Sequence, residues 1–376
     1  MSSKIEKQVE ALNFWVLSND CPWRRVYPGI LENNKFDDFD QKFDNKTFIY
    51  DVFYRKDRVV VICPKLFNFE ELYRETRFYI DDILTEPILR RYFQYDQIEL
   101  KVPKADNLKV ENSCGSKQFD LPRSLPDIFK GLNCIVTVNR NNRLEWIRDF
   151  VDYYIKQHKL EGLLLVDNQS TNYSLEDVGA ILARSKLKNY RLVSAPFLFG
   201  PVLKDRSSSP QSLQIAMFNA ARQFYLQKAR AVLNVDIDEL VAPLKHNIFD
   251  LAQKSIFNIV RFKGYWRYTD QINFDRIAHK HHFLRKKQDS YCPHKYCYVP
   301  SKFIEKLPLD WHGFSINNVL MRKFLHLLIN RPDVRFWHCS GLTTRWKGDR
   351  LATSDNLVTD SIMRETMSKC FNEETE

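Results

Sequence analysis

The sequence predicts an α/β protein, a mainly parallel sheet with helices between its strands, preceded by a β-rich segment of α+β character. Three observations lead there. From Leu132 onward the runs NCIVTV, EGLLLVDN, YRLVSA, AVLNVDID and FNIVRF are short and apolar, as strands buried on both faces are. Between the first two lies RLEWIRDFVDYYIKQH, with Leu144, Ile147, Val151, Tyr154 and Ile155 at helical spacing. Between the third and fourth lies SLQIAMFNAARQFYLQKA, with Leu213, Met217, Ala220, Ala221 and Phe224 on one face. Near the N-terminus, FIYDVFY and RVVVICPKL flank Arg55, Lys56 and Asp57 and read as a hairpin.

The order of elements divides the chain. After the hairpin, ELYRETRFYIDDILTEPILRRYF reads as helical and charged, interrupted at Pro87. The polar stretch KADNLKVENSCGSKQFDLPRSLPD lacks a sustained period and marks a boundary. The expected organisation is a β-rich accessory domain at 1–125, an α/β domain at 126–350 and a tail at 351–376.

Composition narrows the setting. The 376 residues are 44% hydrophobic and 14% aromatic, which describes a globular chain. No apolar run reaches the roughly 18 residues of a membrane span, and MSSKIEKQVEALNFW has no signal pattern, so a cytoplasmic location is expected. Eight scattered cysteines read as reduced thiols. The formal charge of +10 fits anionic partners such as nucleic acid, anionic lipid or phosphorylated small molecules.

AVLNVDIDELVAP carries the chemistry. An apolar strand ends in Asp236, Asp238 and Glu239, and ligands of open α/β sheets gather at the carboxyl ends of strands. On an extended segment Asp236 and Asp238 would point the same way, with Ile237 packed inward. Two such carboxylates repel unless a divalent cation stands between them, and Mg²⁺ or Mn²⁺ would keep positions for phosphate oxygens.

NCIVTVNRNNRLEWIRDFVDYYIKQHKLEGLLLVDNQSTN resembles the opening of GT-A glycosyltransferases of the branch related to families 2 and 92. QIAMFNAARQFYLQKARAVLNVDIDELVAP resembles their next block. The resemblance covers about Leu132 to Arg350 and implies a Rossmann-like GT-A domain. By implication, Asn139 and Arg140 lie beside the nucleotide of a nucleotide-sugar donor, and Asp167 accepts from its base or ribose. Asn141-Asn142 stands where the family often has Asn-Glu. Asp236 and Asp238 would hold Mn²⁺ or Mg²⁺ on the donor diphosphate. His338 matches a histidine placed to complete the metal shell, with His312 competing for that role.

In LDWHGF, Asp310 precedes Trp311 and His312 and is the candidate general base for an inverting transfer, with Asp270 and Glu305 next in line. Arg345, Lys347 and Arg350 form a basic run able to pair with phosphate. Cys292, His294 and Cys297 with His279–His282 match no closed zinc site, and DNQSTNYSLEDV lacks the glycine of a calcium loop. A single-stranded nucleic-acid platform around RFKGYWRY is a non-enzymatic alternative, opposed by the acids at the strand ends. Sugar-phosphate nucleotidyl transfer is a second, opposed by the absence of Gly in NRNNRLEW. The expected function is metal-dependent sugar transfer from a nucleotide-sugar to a glycan or lipid-linked acceptor, in synthesis of a surface polysaccharide. The basic surface and family habit imply peripheral contact with the inner face of the membrane, and no nucleic-acid partner.

Overall fold

The five apolar runs all become strands of one nine-stranded sheet. The computed structural model describes residues 8–29, 32–121, 127–205, 211–269, 271, 273–316, 318–342 and 356–371. The sheet contains β1 (Val9–Ala11), β2 (Asn133–Asn139), β3 (Gly162–Asp167), β4 (Asn189–Ser194), β5 (Ala231–Asn234), β6 (Glu239–Val241), β7 (Ile259–Arg267), β8 (Tyr291–Tyr298) and β9 (Asn330–Cys339). Their spatial order is β1-β4-β3-β2-β5-β8-β7-β9-β6. From β1 to β5 every pairing is parallel. β8 then pairs antiparallel with β5 and β7, β7 runs parallel to β9, and β6 closes the far edge antiparallel. The expected mainly parallel α/β sheet is therefore present.

Alternation along the strands explains why their sequences lack an apolar/polar rhythm. Ile135, Leu163, Leu165, Leu192 and Leu233 pack on one face against Ile147, Phe150 and Val151 of α1 (Leu144–His158) and Val178 and Leu182 of α2 (Leu175–Arg184). Val136, Leu164, Val166, Val193 and Val232 pack on the other against Leu213, Met217, Ala220 and Ala221 of α3 (Ser212–Gln223). Both faces are covered, so both residue parities must be apolar. α1 stops where Lys159 turns left-handed at φ 58°, and α2 begins with a reciprocal Ser174–Asp177 capping box. Further helices are α4 (Ile248–Lys254), α5 (Val319–Ile329) and α6 (Ser361–Phe371).

The N-terminal third forms two antiparallel four-stranded sheets. The expected hairpin is Asp51–Arg55 with Arg58–Pro64. Its Phe53, Val60 and Ile62 join the core under α3, with the Phe53 and Phe224 rings stacked 4.9 Å apart. Val52, Val59 and Val61 pack into the second, N-terminal core. Only β1 leaves this third, adding to the outer edge of the large sheet.

Three expectations change here. ELYRETRFYIDDILTEPILRRYF is helical only at Phe69–Glu75; Arg77–Ile80, Ile83–Leu84 and Ile88–Arg91 are strands. Asp81 and Asp82 both take positive φ, 47° and 66°, and make the two-residue turn that pairs Ile80 with Ile83. The polar boundary stretch contains a hairpin, Asn107–Asn112 with Gly115–Asp120, whose Leu108 and Val110 face inward while most of the second strand faces water. Cys21 and Cys114 are joined in a disulfide that ties this hairpin to the N-terminal segment, whereas Cys63, Cys134, Cys292, Cys297 and Cys339 are buried thiols. No helix among the described residues is long and apolar enough to cross a membrane.

Candidate functional site

The site grows from the register of three neighbouring strands. β6 sets Glu239 opposite His338 of β9, and β9 sets His338 beside Trp266 of β7. Laterally paired residues share a face of the sheet. The Trp266 and His338 rings stack, 4.0 Å between centroids and 21° between planes, which fixes the imidazole plane. His338 Nε2 lies 3.0 Å from Asp238 Oδ2, and Nδ1 lies 3.8 Å from Glu239 Oε1. Asp238, Glu239 and His338 each offer a ligand atom within 4.8 Å of the others. The turn carrying Asp238 is pinned from both sides: Cys339 N donates to its carbonyl at 2.8 Å, and His279 Nε2 sits 2.8 Å from the Ile237 carbonyl.

Asp236 borders that trio, its backbone N donating to Glu239 Oε2 at 2.8 Å. β5 ends at Asn234, and the chain turns rather than staying extended, with Glu239 N donating to the Asp236 carbonyl at 3.0 Å. Asp236 is not among the residues whose ligand atoms lie within 4.8 Å of one another. Instead Asp236 accepts from Lys295 Nζ at 2.7 Å and from Gln214 Nε2 at 3.1 Å. Lys295 also reaches Glu239 at 2.9 Å. Burial opposes the charge on Lys295, but the carboxylates of Asp236 and Glu239 overcome it and raise the pKa of the ammonium. Burial likewise raises the pKa of Glu239, and Lys295 counters that shift. A buried cation thus sits between Asp236 and Glu239 and pairs with one of the two aspartates, Asp236, that the sequence assigned to a metal.

At the carboxyl ends of β2 and β3 a second polar cluster forms. Asp167 Oδ1 accepts from Asn139 Nδ2 at 2.7 Å and from Ser170 Oγ at 2.6 Å, and Oδ2 accepts from Ser170 N at 2.9 Å. Asn139 also reaches the Tyr173 hydroxyl at 3.0 Å and receives Asn142 Nδ2 at 3.0 Å. Asn139 and Asp167 are both buried, and together they shape the loops they belong to. Arg140 projects into solvent. Arg345, Lys347, Arg350 and Asp270 lie outside the described residues.

Asp310 sits in a tight hairpin, Leu309–Asp310 with Gly313–Phe314. His312 N donates to its carboxylate at 2.6 Å. Its backbone carbonyl accepts from the Tyr296 hydroxyl at 2.8 Å, and Tyr296 in turn receives Asn234 Nδ2 at 2.8 Å. Burial pushes the Asp310 pKa up, opposed by the bond from His312 and the charges of Arg322 and Arg261. His312 is pushed down to about 4 by burial, against its bond to the His294 carbonyl, and feels both Lys295 and Asp236. Glu305, the reserve base, is bound to Arg55 and Lys56, each at 2.9 Å.

The residues that sequence reasoning left without a role are Glu239, Trp266 and Lys295. Glu239 was visible as the third acid of the motif. Lys295 had one signal, a lone charge in the run YCPHKYC, which is a strand. Its cysteines do not assemble a metal site: among the described residues the group able to share an ion is Asp238, Glu239 and His338.

No protein-family model matches the chain, and no curated protein matches it. Solved structures give weak likenesses. The galactosyltransferase LgtC in complex with donor and acceptor sugar analogues is 12% identical at a TM-score of 0.32, covering 63% of this chain and 95% of that one. The 4-diphosphocytidyl-2C-methyl-D-erythritol synthase from Anaerococcus prevotii is 10% identical at 0.30, covering 58% and 92%. TarS from S. aureus is 13% identical at 0.31, covering 55% and 36%. Likenesses of this size transfer neither a family nor an activity, and function must be argued from the side chains.

Proposed function

We propose that this protein is a metal-dependent glycosyltransferase of GT-A type that moves a sugar from a nucleotide-sugar donor to a glycan or lipid-linked acceptor. The observation that carries this reading is the trio Asp238, Glu239 and His338 at the strand ends, beside the stacked Trp266. Two carboxylates and one imidazole suit a borderline cation such as Mn²⁺ better than Mg²⁺, which prefers oxygen alone. A bound cation would act as a Lewis acid on the departing nucleotide diphosphate. The remaining work belongs to the chain. Trp266 holds the His338 ring plane, and Lys295 fixes Glu239 from behind while keeping Asp236 in place. Asn139 and Asp167 shape the loops that would receive the nucleotide. Asp310 would take the acceptor hydroxyl proton, its carboxylate aimed by the His312 amide.

Calorimetry of a nucleoside diphosphate with and without Mn²⁺ tests the metal assignment. Addition of Mn²⁺ should tighten binding in the wild type. Asp238→Asn should lose at least the roughly 10- to 100-fold in metal affinity that outer-shell substitutions already cost. Asp236→Asn should keep most of the gain. An undiminished Mn²⁺ effect in Asp238→Asn would remove the trio from the metal site.

A further inference from the structure

Helix α5, Val319–Ile329, is built inside out. A surface helix ordinarily turns its apolar stripe to the core and its charges to water. Here Arg322 and His326 face the protein, where Arg322 acts on Asp310 and His326 Nε2 accepts from Phe314 N at 3.1 Å. Leu325 and Ile329 complete that inner face. Outward stand Val319, Leu320, Met321, Phe324, Leu327 and Leu328, with Leu320 78% and Leu327 73% exposed.

The apolar surface continues beyond the helix. Phe314, in the hairpin under α5, lies 6.0 Å from the ring of Phe303, and Phe303 lies 6.1 Å from Phe257. Phe303 is itself exposed, and Ile256, next to Phe257, is 92% exposed. The exposed apolar side chains of α5, with Phe303 and Ile256 exposed on the other side of the buried Phe314, mark an interaction site.

Charge selects the occupant. α5 contains Arg322 and Lys323 and no acid, and Lys306 and Lys254 are exposed close to Phe303 and Ile256. Asp333, beyond the helix, is neutralised by Arg331 at 2.6 Å. A second copy of the chain would bring the same basic residues against each other. An apolar face edged with Lys323, Lys306 and Lys254 instead suits the headgroup and acyl boundary of an anionic bilayer. We infer that α5, together with Ile256 and Phe303, docks this protein flat on an anionic lipid surface. The hairpin bearing Asp310 packs directly under the helix, so docking would present the proposed base towards lipid-linked molecules.

Vesicle co-sedimentation of the full chain tests this independently of sugar transfer. Phosphatidylcholine vesicles containing phosphatidylglycerol should retain about tenfold more protein than pure phosphatidylcholine, and high salt should weaken the difference. Leu320→Glu/Leu327→Glu changes only solvent-facing positions; it should lower retention about tenfold or more with melting temperature and Mn²⁺-dependent nucleotide binding unchanged. Lys323→Glu should lower it less. Equal retention on both vesicle types, or full retention by the double variant, overturns the inference. So does a wild-type dimer in analytical ultracentrifugation that the double variant converts to monomer without any vesicle binding, because the occupant is then a second copy.

Discussion

At the scale of single residues, Asp310 has the environment of a base in waiting. Its carboxyl pKa is raised by burial, while a short bond from His312 N keeps one oxygen aimed. The base acts as the carboxylate, so activity is present above its pKa and is lost as pH falls through it. Because that pKa lies above the ordinary aspartate value of 3.8, the acid limb of kcat/KM is expected at higher pH than an ordinary aspartate would give. Asp310→Asn should lower transfer by about 10²- to 10⁴-fold and abolish that limb. Steady-state kinetics across pH check both outcomes; a near wild-type rate assigns the base elsewhere. Residue-level reading of the sequence found Asp238 and His338, and the structure brings them within hydrogen-bond distance. It did not separate Asp236 from Asp238, because a turn and a strand of four residues are indistinguishable by composition.

At the scale of elements, the metal trio depends on β6, β9 and β7 keeping register, and one position makes that close packing feasible. Gly264 lies two residues before Trp266, and a Cβ there would sit 2.2 Å from both the Cys292 sulfur and the Phe336 ring. Both neighbours are buried, so neither can move out of the way cheaply. Gly264→Ala should therefore cost about 1–3 kcal/mol of stability, measured by urea unfolding. It should also weaken Mn²⁺-dependent nucleotide binding by displacing Trp266 from His338. Unaltered stability would show that β7 and β9 slide apart without penalty. The elements themselves were legible where periodicity was strong, as in α1 and α3. They were illegible where one face meets water, as in the Asn107–Asp120 hairpin, whose exposed face supplied the polar letters that were read as a boundary.

Across the whole molecule, buried neutral histidines tie stability to pH. His158, buried and bonded to the Val241 carbonyl at 2.9 Å, is pushed down to about 4 by burial. His282 is pushed down to about 3, again chiefly by burial. Its Nδ1 sits 3.0 Å from the Ala278 carbonyl and its Nε2 accepts from Gly341 N at 3.1 Å, so a second proton would break that last bond. Unfolded histidines titrate near 6.5, so between 6.5 and these lowered values the unfolded chain binds more protons. The contribution of these two histidines is thus fully present above pH 6.5 and is lost as pH drops, by about 1.4 kcal/mol per pH unit for each, partly offset by the buried Asp51, whose pKa is pushed up to about 8. Urea unfolding at pH 7 and pH 4.5 should show the loss, and a flat profile would mean these rings are protonated in the folded state. The sequence by itself determined the α/β class, the strands from Asn133 to Asn234 with α1 and α3 between them, and the acidic strand end, because local periodicity and composition report which faces are buried. Only the tertiary structure decided that Lys295 neutralises Asp236, that Glu239 joins Asp238 and His338, and that α5 turns its apolar face outward. Those outcomes rest on lateral strand register and on which surface a helix meets, and both join residues that are distant in the chain.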